Sequence, residues 1–229
     1  MKLSPRLQTI ANNVPRSNKC CDIGTDHGYV PIYLIKKNIV NMAIATDING
    51  GPLKTAKKQI EWAGLEEKIQ IRQGNGLEPI KPYEVDTTII AGMGGLLIKD
   101  ILDSSKKIAK SINSFVLQPM IAQAELRKYL IENQFMIIDE DLAQEKNRIY
   151  EIIIAKHGKQ KVENDIYYDI GKPLIEKKHP LLPFLIKLKK NELVKIIESC
   201  TGKNSYNAQF KIKECNDKLL ALKEVEKCL

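Results

Sequence analysis

Short apolar runs at residues 19–21, 42–47, 69–73, 86–91 and 114–118 alternate with helical stretches over the first 133 residues. Buried strands separated by crossover helices build a mostly parallel sheet with helices on both faces, an α/β doubly wound fold. Helical spacing of apolar residues covers 29–35, 52–63, 96–102 and 122–133. Pro52 suits a first helical turn and Gly64 a helix stop. An amphipathic helix is expected at 3–13, ending before Pro15. The runs at 135–140 and 149–155 have no helix between them, which predicts an antiparallel hairpin at one sheet edge. The pattern changes near His157-Gly158-Lys159. Beyond it, helical stretches at about 165–198 and 207–228 flank Thr201-Gly202-Lys203-Asn204-Ser205 and predict a coiled-coil-like helical hairpin. Leu185, Leu188, Leu193, Ile196 and Ile197 recur at helical spacing, while Pro173, Pro180 and Pro183 should break the first stretch into pieces. The expected domains are 1–158 and 159–229.

The turn after the first run reads Asp22-Ile23-Gly24-Thr25-Asp26-His27-Gly28. A strand, a tight glycine turn and a helix start present a nucleotide-like ligand at the carboxyl ends of a parallel sheet. A dinucleotide fingerprint reads G-x-G-x-x-G. Here Asp26 stands where the second glycine would be. A carboxylate there repels a pyrophosphate and suits a cationic cofactor, and S-adenosylmethionine carries a sulfonium and an ammonium.

The later runs end in the same style. Asp47 closes the second and lies 19 residues beyond Gly28, where an acid meets the two hydroxyls of a ribose. Ile48 follows it beside the cofactor. Gly74-Asn75-Gly76 follows the third run, with a small polar residue for an adenine edge and glycines that leave room for the ring. Ala91-Gly92-Met93-Gly94-Gly95 follows the fourth, and Met93 could pack on an adenine or on a target base. Leu117-Gln118-Pro119-Met120 follows the fifth, also at the ligand edge. Cofactor residues are therefore expected at Asp22, Gly24, Asp26, His27, Asp47, Ile48, Gly74, Asn75, Gly76, Gly92, Met93 and Gly94.

Composition narrows the partners. At 229 residues the chain can bury a substantial core. A net charge of +8 suits a polyanionic partner such as nucleic acid. Residues 160–229 hold 14 Lys/Arg against 10 Asp/Glu, and the longer segment 1–159 holds 22 against 18, so the tail is the more basic per residue. Cys20, Cys21, Cys200, Cys215 and Cys228 form no C-x-x-C pair and have no nearby histidine pattern, which argues against zinc. Cys20 and Cys21 read as reduced core thiols, so a cytoplasmic protein is expected. No run approaches the ~18–20 apolar residues of a membrane span. Residues 1–9 are polar and charged, so no secretory signal is expected.

The run from Asp22 to Pro31 (DIGTDHGYVP), the run from Ile90 to Gly95 (IAGMGG) and Leu117-Gln118-Pro119-Met120 resemble the bacterial tRNA adenine-22 N(1)-methyltransferase family. The opening Leu3-Ser4-Pro5-Arg6-Leu7 and the run from Arg72 to Leu77 (RQGNGL) are similar as well. The resemblance spans essentially the whole chain. Two positions depart from it: Asn75 where relatives often carry Asp, and Gly28 where they often carry Ala. The resemblance implies a Rossmann-like class I methyltransferase fold, S-adenosylmethionine as donor and an adenine in the D-arm of tRNA as acceptor.

Nitrogen 1 lies on the Watson–Crick edge, so the base must be unpaired or flipped into the pocket. Methylation there leaves a cationic base, and a carboxylate can stabilise that charge or accept a proton from the exocyclic amine. The Gly92-Met93-Gly94-Gly95 turn offers no acid, so Asp26 is the catalytic candidate, with His27 as its orienting or proton-relaying partner. Tyr29 reads as a core residue or a stacking partner for the base, and Arg6 as a contact for the cofactor carboxylate or for RNA phosphate. The basic tail, through Lys177, Lys178, Lys187, Lys189, Lys190 and Lys195, is expected to grip tRNA phosphates. A monomer without metal is the expectation. The competing readings are a methyltransferase of another substrate class and a non-catalytic RNA-binding protein with a vestigial cofactor fold.

Overall fold

The computed structural model describes residues 2–203, 205–227 and 229. Asn204 of the expected connector lies outside them, as does Cys228 at the expected end of the last helix. The chain forms two compact units, Met1–Lys161 and Val162–Leu229.

The first unit runs α1 (Pro5–Asn12), β1 (Ser17–Ile23), α2 (Tyr29–Lys36), β2 (Val40–Asp47), α3 (Gly50–Ala63), β3 (Ile69–Gln73), β4 (Thr87–Met93), α4 (Gly95–Ser104), α5 (Lys106–Ala109), β5 (Ser114–Pro119), α6 (Gln123–Glu132), β6 (Phe135–Glu145) and β7 (Arg148–His157). The seven strands form one sheet in the order β3-β2-β1-β4-β5-β7-β6. β1 to β5 pair with one another in parallel. β7 runs antiparallel to both β5 and β6, so the expected edge hairpin is present. The doubly wound architecture read from the alternation is the one observed.

Local chemistry explains the element ends. Ser4 caps α1 by accepting from the Leu7 N–H, and Pro5 needs no donor in the first turn. Gly64 closes α3 in the left-handed region at φ +66°.

Side chains alternate across the pleat. Cys20, Ile89, Val116 and Ile152 pack on one face with Ile10, Leu34 and Ile60 of α1, α2 and α3. Their neighbours Cys21, Ile90, Leu117 and Ile153 pack on the other face with Ile98, Leu126 and Leu130 of α4 and α6. Each fully buried Ile or Leu contributes about 1.5–3 kcal/mol. The sheet is thus apolar on both faces, and ligand chemistry is left to its carboxyl edge.

Three expectations need correction. β6 extends to Glu145 rather than stopping at residue 140. Glu140, within the expected strand, is fully buried and bonded to Arg127 of α6. β4 continues through Met93, so Ala91 and Gly92 lie inside the strand rather than after it. Gln118 and Pro119 likewise lie inside β5 rather than after it, and Gln118 is fully buried. Hydrogen bonds to partners distant in sequence keep these polar or flexible residues in the ladder.

In the second unit the prolines divide the first helical stretch into α7 (Ile166–Asp169), α8 (Lys172–Glu176) and α9 (Leu182–Cys200). α10 (Tyr206–Lys227) returns along α9, with Lys190 paired to Glu226 at 2.8 Å far from the connector. Ala208, Cys215 and Leu222 are buried at seven-residue spacing, the seam of a coiled-coil-like hairpin. Lys218 of α10 reaches Asp169 of α7 at 3.0 Å.

Candidate active site

β1 and β4 are neighbours, yet the chain leaves β1 toward β2 on one side and leaves β4 toward β5 on the other. Their carboxyl-end loops therefore part, and such a switch point is where open α/β sheets bind ligands. A cavity of about 250 Å³ lies there, lined among others by Arg6, Asp22, Gly24, Thr25, Asp26, His27, Tyr29 and Gly92.

The β1 loop is shaped by Gly24, which sits at φ +70°. That left-handed backbone favours glycine, and a Cβ there would also push aside the end of the Met93 side chain, whose Cε lies 2.4 Å away. Thr25 donates its N–H to the Thr46 carbonyl at 2.9 Å and its hydroxyl to Asp22 Oδ2 at 2.6 Å. Asp22 is only 5% exposed. Burial, together with the nearby charge of Asp47, pushes its pKa up to about 7 against the Thr25 hydrogen bond. Asp26 is exposed instead, and its backbone is left-handed at φ +52°. His27 Nε2 lies 3.4 Å from Asp26 Oδ2, and the His27 ring stacks on Tyr29 with centroids 5.1 Å apart. The two acids of the motif are thus a buried one bonded to Thr25 and an exposed one on a left-handed turn.

Asp22 makes the ligand-free fold pH-dependent. Its carboxyl titrates near 4 in the unfolded chain and about 7 in the fold. Its contribution to stability is fully present below about pH 4 and is lost as pH rises through about 7. Asp22→Asn removes that loss. The stability gap between variant and wild type should widen in the variant's favour by up to ~1.4 kcal/mol per pH unit across this window, measured by denaturant melts. A gap that does not change with pH would show that Asp22 is ionised throughout.

The other wall is built around Gln118. β4 carries one extra residue against β5 between Ala91 and Met93, so Gly92 bulges toward the cavity. Gln118 Oε1 accepts from the Gly92 N–H at 3.2 Å and from Arg6 Nη1 at 2.7 Å. Its amide nitrogen donates to the Pro119 carbonyl at 3.0 Å, which fixes the amide orientation. Glu145 Oε1 accepts from the Arg6 N–H at 2.8 Å, and the Arg6 guanidinium lies 5.5 Å from the centre of the Tyr150 ring. These contacts hold α1 so that its arginine enters the cavity.

The remaining expected residues lie along the same sheet edge but outside the cavity lining. Asp47 Oδ1 accepts from the Asn49 N–H at 2.9 Å, and its backbone carbonyl accepts from the Gly74 N–H at 3.1 Å. Ile48 is exposed, and its carbonyl accepts from the Gln73 side chain. Asn75 is exposed, while Gly76 is buried against Ile101. Gly94 caps α4, and Gly95 N–H bonds to the Ile121 carbonyl. The structure therefore gathers Arg6, Asp22, Gly24, Asp26, His27 and Gly92 at one cavity. Asp47, Ile48, Gly74, Asn75 and Gly76 form a second row at the ends of β2 and β3. Among the described residues no group of three or more His, Cys, Asp or Glu could hold a metal ion, and no helix is long and apolar enough to cross a membrane.

A family described as a methyltransferase domain matches residues 3–153. The chain is also 36% identical over 236 residues to the tRNA (adenine(22)-N(1))-methyltransferase of Bacillus subtilis, spanning 98% of this chain and 97% of that one. The chain belongs to the tRNA (adenine(22)-N(1))-methyltransferase family. The crystal structure of the B. subtilis family member, TrmK, matches with a TM-score of 0.87 at 35% identity, covering 98% of each chain. Sp1610 of Streptococcus pneumoniae, solved in complex with S-adenosyl-L-methionine, matches with a TM-score of 0.85 at 31% identity, over 98% of this chain and 99% of that one.

For this member of the family, sequence reasoning missed Thr25 and Glu145 as parts of the site. Gln118 was expected at the ligand edge, and the structure makes it the buried support of Arg6 and Gly92 there. Glu145 had no local signal, since its contact with Arg6 spans 139 residues.

Proposed function

We propose that this chain transfers a methyl group from S-adenosylmethionine to ring nitrogen 1 of adenine 22 in the D-arm of tRNA. The observation that carries this reading is the charge pattern of the cavity: one arginine, Arg6, shares a lining with two acids, Asp22 and Asp26. An α-amino acid group bears both charges. Arg6 pairs with its carboxylate and Asp22 with its ammonium, each as a charge-assisted hydrogen bond. A pyrophosphate would meet two like charges instead. Asp47 takes the ribose hydroxyls, Ile48 covers one face of the adenine, and Asn75 reaches its edge between Gly74 and Gly76. Met93 and Gly94 border the acceptor side.

When bound, S-adenosylmethionine supplies a methyl already activated by its sulfonium. The main task of the protein is then alignment of the acceptor nitrogen, which is worth about 7–11 kcal/mol of barrier when the geometry is right. Asp26 adds the smaller share, roughly 100- to 10,000-fold in rate, by facing the positive charge that develops on the base or by accepting a proton from its exocyclic amine. His27 fixes the Asp26 carboxylate from 3.4 Å away. Its stacking on Tyr29 supports that placement.

The second unit supplies affinity for RNA. Of the lysines expected to meet phosphate, Lys187 and Lys195 are exposed on α9, while Lys190 is held by Glu226. A single chain is taken as the working unit. The free thiols Cys20, Cys21, Cys200 and Cys215 support a cytoplasmic setting. The test is mass spectrometry of unmodified cognate tRNA incubated with the protein and S-adenosylmethionine. One methyl at adenine 22, on nitrogen 1, is expected. A methyl elsewhere, or none, refutes the assignment.

A further inference from the structure

We propose that Tyr206 and Phe210, at the start of α10, form a stacking platform for unpaired bases of tRNA. This rests on the tRNA reading above and extends it from phosphate attraction to base contact. Tyr206 is 80% exposed and Phe210 59% exposed. Their rings stack on each other with centroids 6.4 Å apart and planes inclined by 22°.

The hairpin does not use these rings. Its seam runs through Ala208, Cys215 and Leu222. At about 100° per residue, Tyr206 and Phe210 flank the side of the helix opposite Ala208. An i,i+4 aromatic pair stabilises a helix by only about 0.2–0.5 kcal/mol. That is little return for leaving two rings in water.

The charge around them selects the partner. Residues 203–213 carry three lysines and no acid. Lys213 falls on the same helical face as the two rings, seven residues after Tyr206 and three after Phe210. Lys203 and Lys213 are exposed and make no ion pair among the described residues, whereas Lys211 pairs with Glu214. Glu214, four residues after Phe210, borders this face as well, but its charge is taken up by Lys211 at 2.9 Å and Lys218 at 3.8 Å. Flat exposed rings beside uncompensated cations match single-stranded nucleic acid, whose bases stack while its phosphates pair. A second copy of this chain would bring like charge against like.

The test compares full-length wild type with the Tyr206→Ala/Phe210→Ala double variant on unmodified tRNA across a salt series. The variant is expected to bind tRNA about 10- to 100-fold more weakly, with an unchanged slope of log affinity against log salt. Its affinity for S-adenosylmethionine, read by calorimetry, stays equal to wild type and shows that the cofactor unit is intact. Tyr206→Leu/Phe210→Leu, which keeps apolar bulk without π-faces, shows the same loss. Unchanged tRNA affinity in the double variant overturns the platform, as does full binding by the leucine variant. A concentration-dependent dimer of wild type that the double variant abolishes overturns it too, in favour of self-association. Wild type that binds no tRNA at all instead defeats the functional reading on which the platform rests.

Discussion

Asp26→Ala slows methyl transfer about 100-fold or more while the dissociation constant for S-adenosylmethionine moves by no more than about threefold. The asymmetry follows from the different settings of the two acids in the β1 loop. Asp22 is buried, bonded to Thr25, and faces the inside of the cavity, where a ligand ammonium would neutralise it. Asp26 is exposed at the mouth, so its pairing with a bound cofactor is screened by water and worth little. Its value lies in the acceptor complex, once a flipped base covers it and excludes that water.

Asp26→Asn belongs in the same experiment. Asn tolerates the left-handed backbone at φ +52° as well as Asp does, whereas Ala does not. The Asn variant should therefore match the Ala variant in lost rate. Rate retained in Asp26→Asn would assign the effect to backbone geometry. Calorimetry that shows cofactor affinity falling as far as the rate would make Asp26 a cofactor ligand and remove its catalytic role.

Arg127→Met destabilises the first unit by about 3–5 kcal/mol. For a unit of this size that lowers the melting temperature by roughly 10 °C or more. Arg127 is fully buried in α6 and bonds both Glu140 of β6 and Glu151 of β7, with nitrogen–oxygen distances of 2.8 and 2.6 Å. Methionine fills similar space but strands two carboxylates in an apolar interior. The cost comes from those abandoned charges more than from the lost pair. Combining Arg127→Met with Glu140→Leu and Glu151→Leu should therefore recover much of the stability. A single variant that melts with wild type, or a triple variant worse than the single, would show that the ion cluster does not carry this edge. Cofactor affinity should persist in every variant that remains folded, since none of Arg127, Glu140 and Glu151 lines the cavity.

Much of the site was readable because parallel α/β folds place their ligand residues at strand ends, and strand ends are marked locally. Gly24 was legible as a turn glycine, and the structure adds the reason in its left-handed backbone at φ +70°. Asp22 and Asp26 were legible as acids, but not as opposites. Burial sets Asp22 apart, and burial depends on Thr25, Thr46 and the neighbouring Asp47. Arg6 was legible as a contact for the cofactor carboxylate or for RNA phosphate, but not how it is held. Its position depends on Gln118, 112 residues away in the chain. The strand expected at 135–140 stops short because the polar residues from Asp141 onward resemble a solvated turn, whereas pairing with β7 carries β6 to Glu145.

The amino-acid order alone determined what repeats within a few residues: the two-residue alternation of the strands, the turn spacing of the helices, the glycines and acids that close each strand, and the basic tail. Backbone sterics and local hydrogen bonding act over that range, so those features need no partner from elsewhere. Only the folded chain decided which polar groups are buried, that the Asp22 carboxyl is pushed upward, and where Arg6 points. Those depend on desolvation and on contacts with groups more than a hundred residues distant, which no local pattern encodes.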